Sequence, residues 1–115
     1  MAGYLSTHVL NTAEGVPGAG IAVELWRLEP VPVLVARTVT MADGRNAEAF
    51  YPEGAGFVAG LHELRFGIGA YFAGRAAGRS FYDVVPVRVR LEANQGHYHV
   101  PLLCSPFGYT TYRGS

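Results

Sequence analysis

Fifteen glycines and seven prolines are scattered along the 115 residues, and the segments between them are short and rich in Val, Leu, Tyr, Phe and Thr. Such segments, separated by turn residues, form the pattern of an all-β sandwich or barrel. Residues 5–10 partly alternate apolar and polar side chains, and residues 11–20 supply Asn, Thr, Gly and Pro for a long turn. Residues 21–28 read as a second strand, with Ile21, Val23 and Leu25 on one face and Glu24 and Trp26 on the other. A third strand over 32–40 is closed by Met41-Ala-Asp-Gly-Arg45, where Asp43-Gly44 signals a tight turn.

Residues 47–51 read as a short fourth strand stopped by Pro52, and 61–68 as a fifth, with Leu61, Glu63 and Arg65 set against His62, Leu64 and Phe66. Residues 70–77 lack β-branched side chains and are the candidate for the only helix, of about two turns. Strict alternation returns at 84–91, where Val85, Val87, Val89 and Leu91 oppose Pro86, Arg88 and Arg90. Asn94-Gln-Gly96 then turns the chain into 97–104, and Ser105-Pro-Phe-Gly108 turns it into 109–113. Eight strands and one helix are expected in a single domain spanning 1–115, with no repeat or linker.

The formal net charge is zero, so no field draws the chain toward nucleic acid or an anionic membrane. No apolar run is long enough to span a bilayer, and the start lacks a secretory pattern. The end is not a peroxisomal address either, and a cytoplasmic location is expected. Cys104 stands alone, which excludes an internal disulfide and suits a small apolar filler in a strand.

Against a background of 16% charged and 50% hydrophobic residues, the last nineteen residues stand out. They carry two imidazoles, a guanidinium and the chain's own carboxylate on one closing β-segment. His97 and His99 are two apart and so share a face; His8 shares a face with Ser6 and Leu10. If those faces coincide, neutral imidazoles can take a proton from water or return one to a leaving nitrogen. A lone histidine is more often a surface or bonded core residue, so the cluster carries the inference.

The same three histidines also fit a catalytic zinc site with one open position, although no Cys or carboxylate stands in obvious support. Arg45, on spacing alone, is a solvated turn residue. Arg113 and Ser115 are terminal residues of the kind that fray, unless Tyr109 and Tyr112 anchor them. Ser115 lies in no Gly-x-Ser-x-Gly elbow, and Gly67-Ile-Gly69 is only a fragment of a dinucleotide fingerprint. Water is therefore the better nucleophile.

Taken in order, Leu5-Ser-Thr-His8-Val-Leu-Asn-Thr, Ala42-Asp-Gly-Arg45, Gly69-Ala-Tyr-Phe72, His97-Tyr-His99-Val-Pro-Leu-Leu and Tyr112-Arg-Gly-Ser115 cover essentially the whole chain. Together they resemble the 5-hydroxyisourate hydrolases, the transthyretin-related enzymes of urate breakdown, and the final tetrapeptide is the most specific match. The resemblance implies a transthyretin-like (prealbumin-like) two-sheet β-sandwich, pairing edge to edge into dimers and back to back into a homotetramer with a channel between the dimers. It implies catalytic roles for His8, Arg45, His99 and Ser115, and substrate-binding roles for Tyr112, Arg113 and Gly114. His97 matches the pattern as a group behind the catalytic ones. No metal or other cofactor is implied. Cys104 replaces a usual Leu, and Phe81-Tyr-Asp-Val replaces a Phe-Phe-Pro-Glu type of segment; neither is a catalytic position.

The implied reaction is attack of water on the six-membered-ring carbonyl of 5-hydroxyisourate, giving 2-oxo-4-hydroxy-4-carboxy-5-ureidoimidazoline. Either His8 or His99 would activate the water while the other holds or protonates substrate, and Arg45 would balance the developing oxyanion. The competing readings are a transthyretin-like carrier of small aromatic ligands, a structural accessory module, and a zinc hydrolase.

Overall fold

A computed structural model describes residues 4–51, 56–93 and 95–115, so that Pro52 and Asn94, assigned above to a strand stop and a turn, lie outside the described residues. The strands are β1 (Tyr4–Asn11), β2 (Val16–Pro17), β3 (Ala22–Arg27), β4 (Val33–Val39), β5 (Gly60–Gly67), β6 (Val84–Leu91), β7 (His97–Ser105) and β8 (Gly108–Thr111). One helix among the described residues, α1 (Ile68–Ala73), follows β5 directly. The strands form two four-stranded sheets, ordered β2-β1-β7-β8 and β4-β3-β5-β6. All neighbouring strands are antiparallel except β1 and β7, which run parallel over eight paired residues.

The core lies between the sheets, because the alternating apolar side chains of each sheet turn toward the other and remove that surface from water. Leu5 and Val9 of β1, Val23 and Leu25 of β3, Leu64 and Phe66 of β5, Val85 and Val87 of β6, and Val100 and Leu102 of β7 are buried there. Cys104 joins them, and burial raises its thiol pKa to about 11, in keeping with an inert filler. On the outer face of the second sheet, the Glu63 carboxylate would be raised by burial. Hydrogen bonds from Arg65 at 2.7 Å and Arg88 at 3.1 Å instead hold it below its ordinary value.

Four expectations are corrected. Residues 47–51 form no strand: Thr38 Oγ1 accepts from Glu48 N–H at 3.2 Å and Asn46 Nδ2 donates to the Glu48 carbonyl at 2.9 Å. These side-chain bonds satisfy the backbone locally and turn Phe50 and Tyr51 into the core. The eighth strand is instead the two-residue β2, inside the stretch read as a turn. The helix is earlier and shorter than 70–77. It buries Ile68, Tyr71 and Phe72, then stops as Arg75 turns to a bidentate pair with Glu14, both bonds 2.7 Å long. The last strand ends at Thr111, short of residue 113. No helix among the described residues is long and apolar enough to cross a membrane.

Candidate active site

The parallel pairing of β1 with β7 sets Ser6 opposite His99 and Tyr4 opposite His97. Because Leu5, Thr7 and Val9 face the core, Ser6 and His8 emerge on the outer face of the sheet, beside His97 and His99 from β7. Two strands from opposite ends of the sequence thus gather three imidazoles and a hydroxyl on one face. Ser6 Oγ lies 2.7 Å from His97 Nε2 and 2.7 Å from His99 Nδ1.

Arg45 arrives from the other sheet. With β2 only two residues long, the edge of β1 beside Thr7, His8 and Val9 is left for the loop after β4. Val9 N–H donates to the Gly44 carbonyl at 2.8 Å, Thr7 N–H to Asn46 Oδ1 at 3.0 Å, and Arg45 forms an isolated antiparallel bridge with His8. Gly44 makes this approach possible. Its φ is +86°, and a Cβ there would sit 2.3 Å from the Val9 carbonyl oxygen. His8 Nε2 donates to the Asp43 carbonyl at 2.7 Å, which fixes its tautomer, and Asp43 Oδ2 stands 3.8 Å from Arg45 Nε.

The terminal motif divides. Gly114 N–H donates to the His99 carbonyl at 2.7 Å, and a Cβ at Gly114 would lie 2.7 Å from His99 Cδ2, so only glycine lets the chain pack flat against this imidazole. Ser115 follows directly and is exposed. Arg113 turns the other way, its guanidinium 4.5 Å from the centre of the Tyr98 ring on the inner face of β7. With Tyr112 it lines a cavity of about 310 Å³ between the edge strands β6 and β8. His8, Arg45, His97, His99 and Gly114 are therefore brought together, while the side chains of Tyr112 and Arg113 serve another face.

Burial lowers the pKa of His99, and the nearby Arg45, His97 and His8 lower it further. The ring is thus kept neutral at pH 7, with Nδ1 bonded to Ser6 and Nε2 without a hydrogen-bond partner among the described residues. A neutral imidazole with an open nitrogen beside a guanidinium can take a proton from water while the guanidinium receives developing negative charge. Among the described residues no three His, Cys, Asp or Glu side chains form a metal-binding group. Alternation along β1 places Ser6 on this face, and its spacing to His8 is the only signal for it in the sequence.

The HIUase/Transthyretin family model matches residues 5–114. The chain belongs to this family. It is 48% identical to 5-hydroxyisourate hydrolase 2 of Rhizobium meliloti, over 98% of this chain and 97% of that protein. The solved 5-hydroxyisourate hydrolase of Klebsiella pneumoniae superposes with a TM-score of 0.81 at 37% identity, covering 98% of this chain and 94% of that one. Transthyretin from Sparus aurata gives a TM-score of 0.84 at 26% identity, covering 96% and 95%. Members that differ in sequence thus keep the same transthyretin-like sandwich, and the identity is greater toward the hydrolases.

Proposed function

We propose that this chain hydrolyses 5-hydroxyisourate to 2-oxo-4-hydroxy-4-carboxy-5-ureidoimidazoline in urate catabolism, with residues 1–115 acting as one domain. The observation that carries this reading is His99, neutral and open at Nε2 beside Arg45 and His8, in a chain 48% identical to a named 5-hydroxyisourate hydrolase. His99 accepts a proton from water at Nε2 as the water oxygen attacks the ring carbonyl. The carbon–nitrogen bond of the cyclic amide then breaks as the leaving nitrogen takes the proton back from His99 Nε2, which restores the neutral base. Arg45 balances the oxyanion, a preorganised charge acting where charge develops. His8, held by the Asp43 carbonyl, positions the substrate ring.

Gly114 and Ser115 close the pocket over His99, and Tyr112 and Arg113 anchor the segment that carries them. Single chains present this face to solvent, and a dimer of dimers, packed back to back through it, encloses the substrate in a channel. No cofactor enters the scheme, and the reaction belongs in the cytoplasm.

The test generates 5-hydroxyisourate with uricase and follows its decay spectrophotometrically with and without the protein. Because the compound decays spontaneously, acceleration is the readout. Binding of an iodinated aromatic hormone without acceleration would favour a carrier. Stoichiometric zinc, with activity lost to chelator and restored by metal, would replace the metal-free scheme.

A further inference from the structure

We propose that Ser6 and His97 are positioning residues for His99, their shared hydroxyl bridge setting which nitrogen of His99 is open and passing its acquired proton outward to His97. The proposal rests on the hydrolytic reading above and deepens it. The two rings stand 6.3 Å apart between centroids and nearly perpendicular, at 87°, with Ser6 Oγ 2.7 Å from a nitrogen of each.

A serine hydroxyl has one proton and two acceptor lone pairs, so it can donate to only one of these nitrogens. The two contacted nitrogens therefore cannot both be bare acceptors, and a His97 ring bare at Nε2 requires the proton of His99 to sit on Nδ1. When His99 carries its proton on Nδ1, Ser6 accepts it and donates to a bare His97 Nε2, and the His99 lone pair lies on Nε2. In this state His99 can act as a base. The opposite state puts a proton on His99 Nε2 and removes the base.

The bridge also moves charge. After His99 Nε2 takes a proton from water, the Nδ1–H bond breaks as that proton passes to Ser6 Oγ, and the former hydroxyl proton forms a bond to His97 Nε2. One proton has moved between the rings, Ser6 is unchanged, and the imidazolium is now His97; the reverse transfer returns the proton to His99 Nδ1 as Nε2 gives its own to the leaving nitrogen. In the single chain His97 is exposed whereas His99 is partly buried beside Arg45 and His8, so the charge moves to the ring with the greater access to water. The charged and titratable groups facing His99 are Arg45, paired with Asp43, from the loop after β4, His8 from β1 and His97 from its own strand; Arg113 faces Tyr98 instead.

Three variants and one spectrum test this. Ser6→Ala is expected to lower kcat about ten- to hundredfold with little change in KM. Its acid limb should move to lower pH, because the His99 imidazolium loses its acceptor at Nδ1. Ser6→Thr, which keeps the hydroxyl, should recover most of the lost kcat, and His97→Ala should resemble Ser6→Ala. Nitrogen-15 NMR of histidine-labelled protein should show the wild-type His99 proton on Nδ1 at neutral pH and a shift toward Nε2 in His97→Ala. A wild-type His99 protonated on Nε2, or Ser6→Ala with unaltered kcat and pH profile, overturns the relay. Absence of any acceleration by the wild type instead sinks the hydrolytic reading, and the NMR result still decides the coupling.

Discussion

His62 and His99 occupy neighbouring sheets of one sandwich and have opposite fates. His62 is fully buried in β5, donating from Nδ1 to the Gly60 carbonyl at 2.9 Å and accepting at Nε2 from the Tyr51 hydroxyl at 2.7 Å. Its ring lies parallel to Phe57, with centroids 6.2 Å apart. Both nitrogens are used, so no proton can be exchanged with a ligand without breaking the core. Among the described residues His99 commits only Nδ1 and keeps Nε2 open beside the Arg45 guanidinium. Burial lowers the pKa of both. A lowered pKa therefore does not mark a base; the open nitrogen does.

The sharpest way to break this contrast is His99→Ala, expected to reduce kcat by about 10²- to 10⁴-fold. Melting should show the fold retained, and a variant keeping more than a tenth of the rate removes His99 as the base. Arg45→Ala comes next, with an expected loss in kcat of about 10²- to 10³-fold, as for other groups that stabilise a developing oxyanion. Steady-state kinetics that show a change in KM alone would make Arg45 a binding group only.

For His62 the effect should appear in stability. Tyr51→Phe leaves Nε2 buried without its donor and should cost about 1–3 kcal/mol in urea unfolding, with the rate per folded molecule unchanged. A lost rate at full stability would reverse the assignments of the two histidines. The pH dependence sharpens the comparison further. Both imidazoles have folded pKa values below the ordinary 6.5, so between these values the unfolded chain binds protons that the folded chain refuses. Stability should be fullest above pH 6.5 and decline as pH falls toward the folded values. The rate should hold below pH 6.5 and fail only as His99 itself protonates. The smallest effect is expected for Arg37→Ala, which removes an exposed 3.1 Å pair with Glu24 and should change stability by less than about 1 kcal/mol.

Much of the sandwich is legible in the residues, because period-two alternation survives wherever one face is buried. The faces of residues 21–25 and 84–91 read directly as they fold. At 47–51 the same apolar content misled, since Thr38 and Asn46 side chains, distant or unremarkable in sequence, capture the backbone before a ladder can form. The His97–His99 pair was legible from its spacing. Its bridge through Ser6 was not, since residues separated by 91 and 93 positions meet only when the first strand pairs with the seventh. Tyr112 and Arg113 show the converse: contiguous in the chain with Gly114, they line the cavity between β6 and β8, because β8 ends at Thr111 and the chain beyond it leaves strand geometry.

By itself, the sequence determined that short alternating segments would bury one face each, and that His8 and Ser6, like His97 and His99, would share a side of their strands. Local covalent geometry is sufficient for that, because successive side chains on a strand must alternate. Only the tertiary structure decided that β1 lies parallel to β7, that the loop carrying Arg45 covers the bare edge of β1, and which imidazole nitrogen stays open. Those outcomes depend on hydrogen bonds between segments far apart in the chain, and no local preference encodes them.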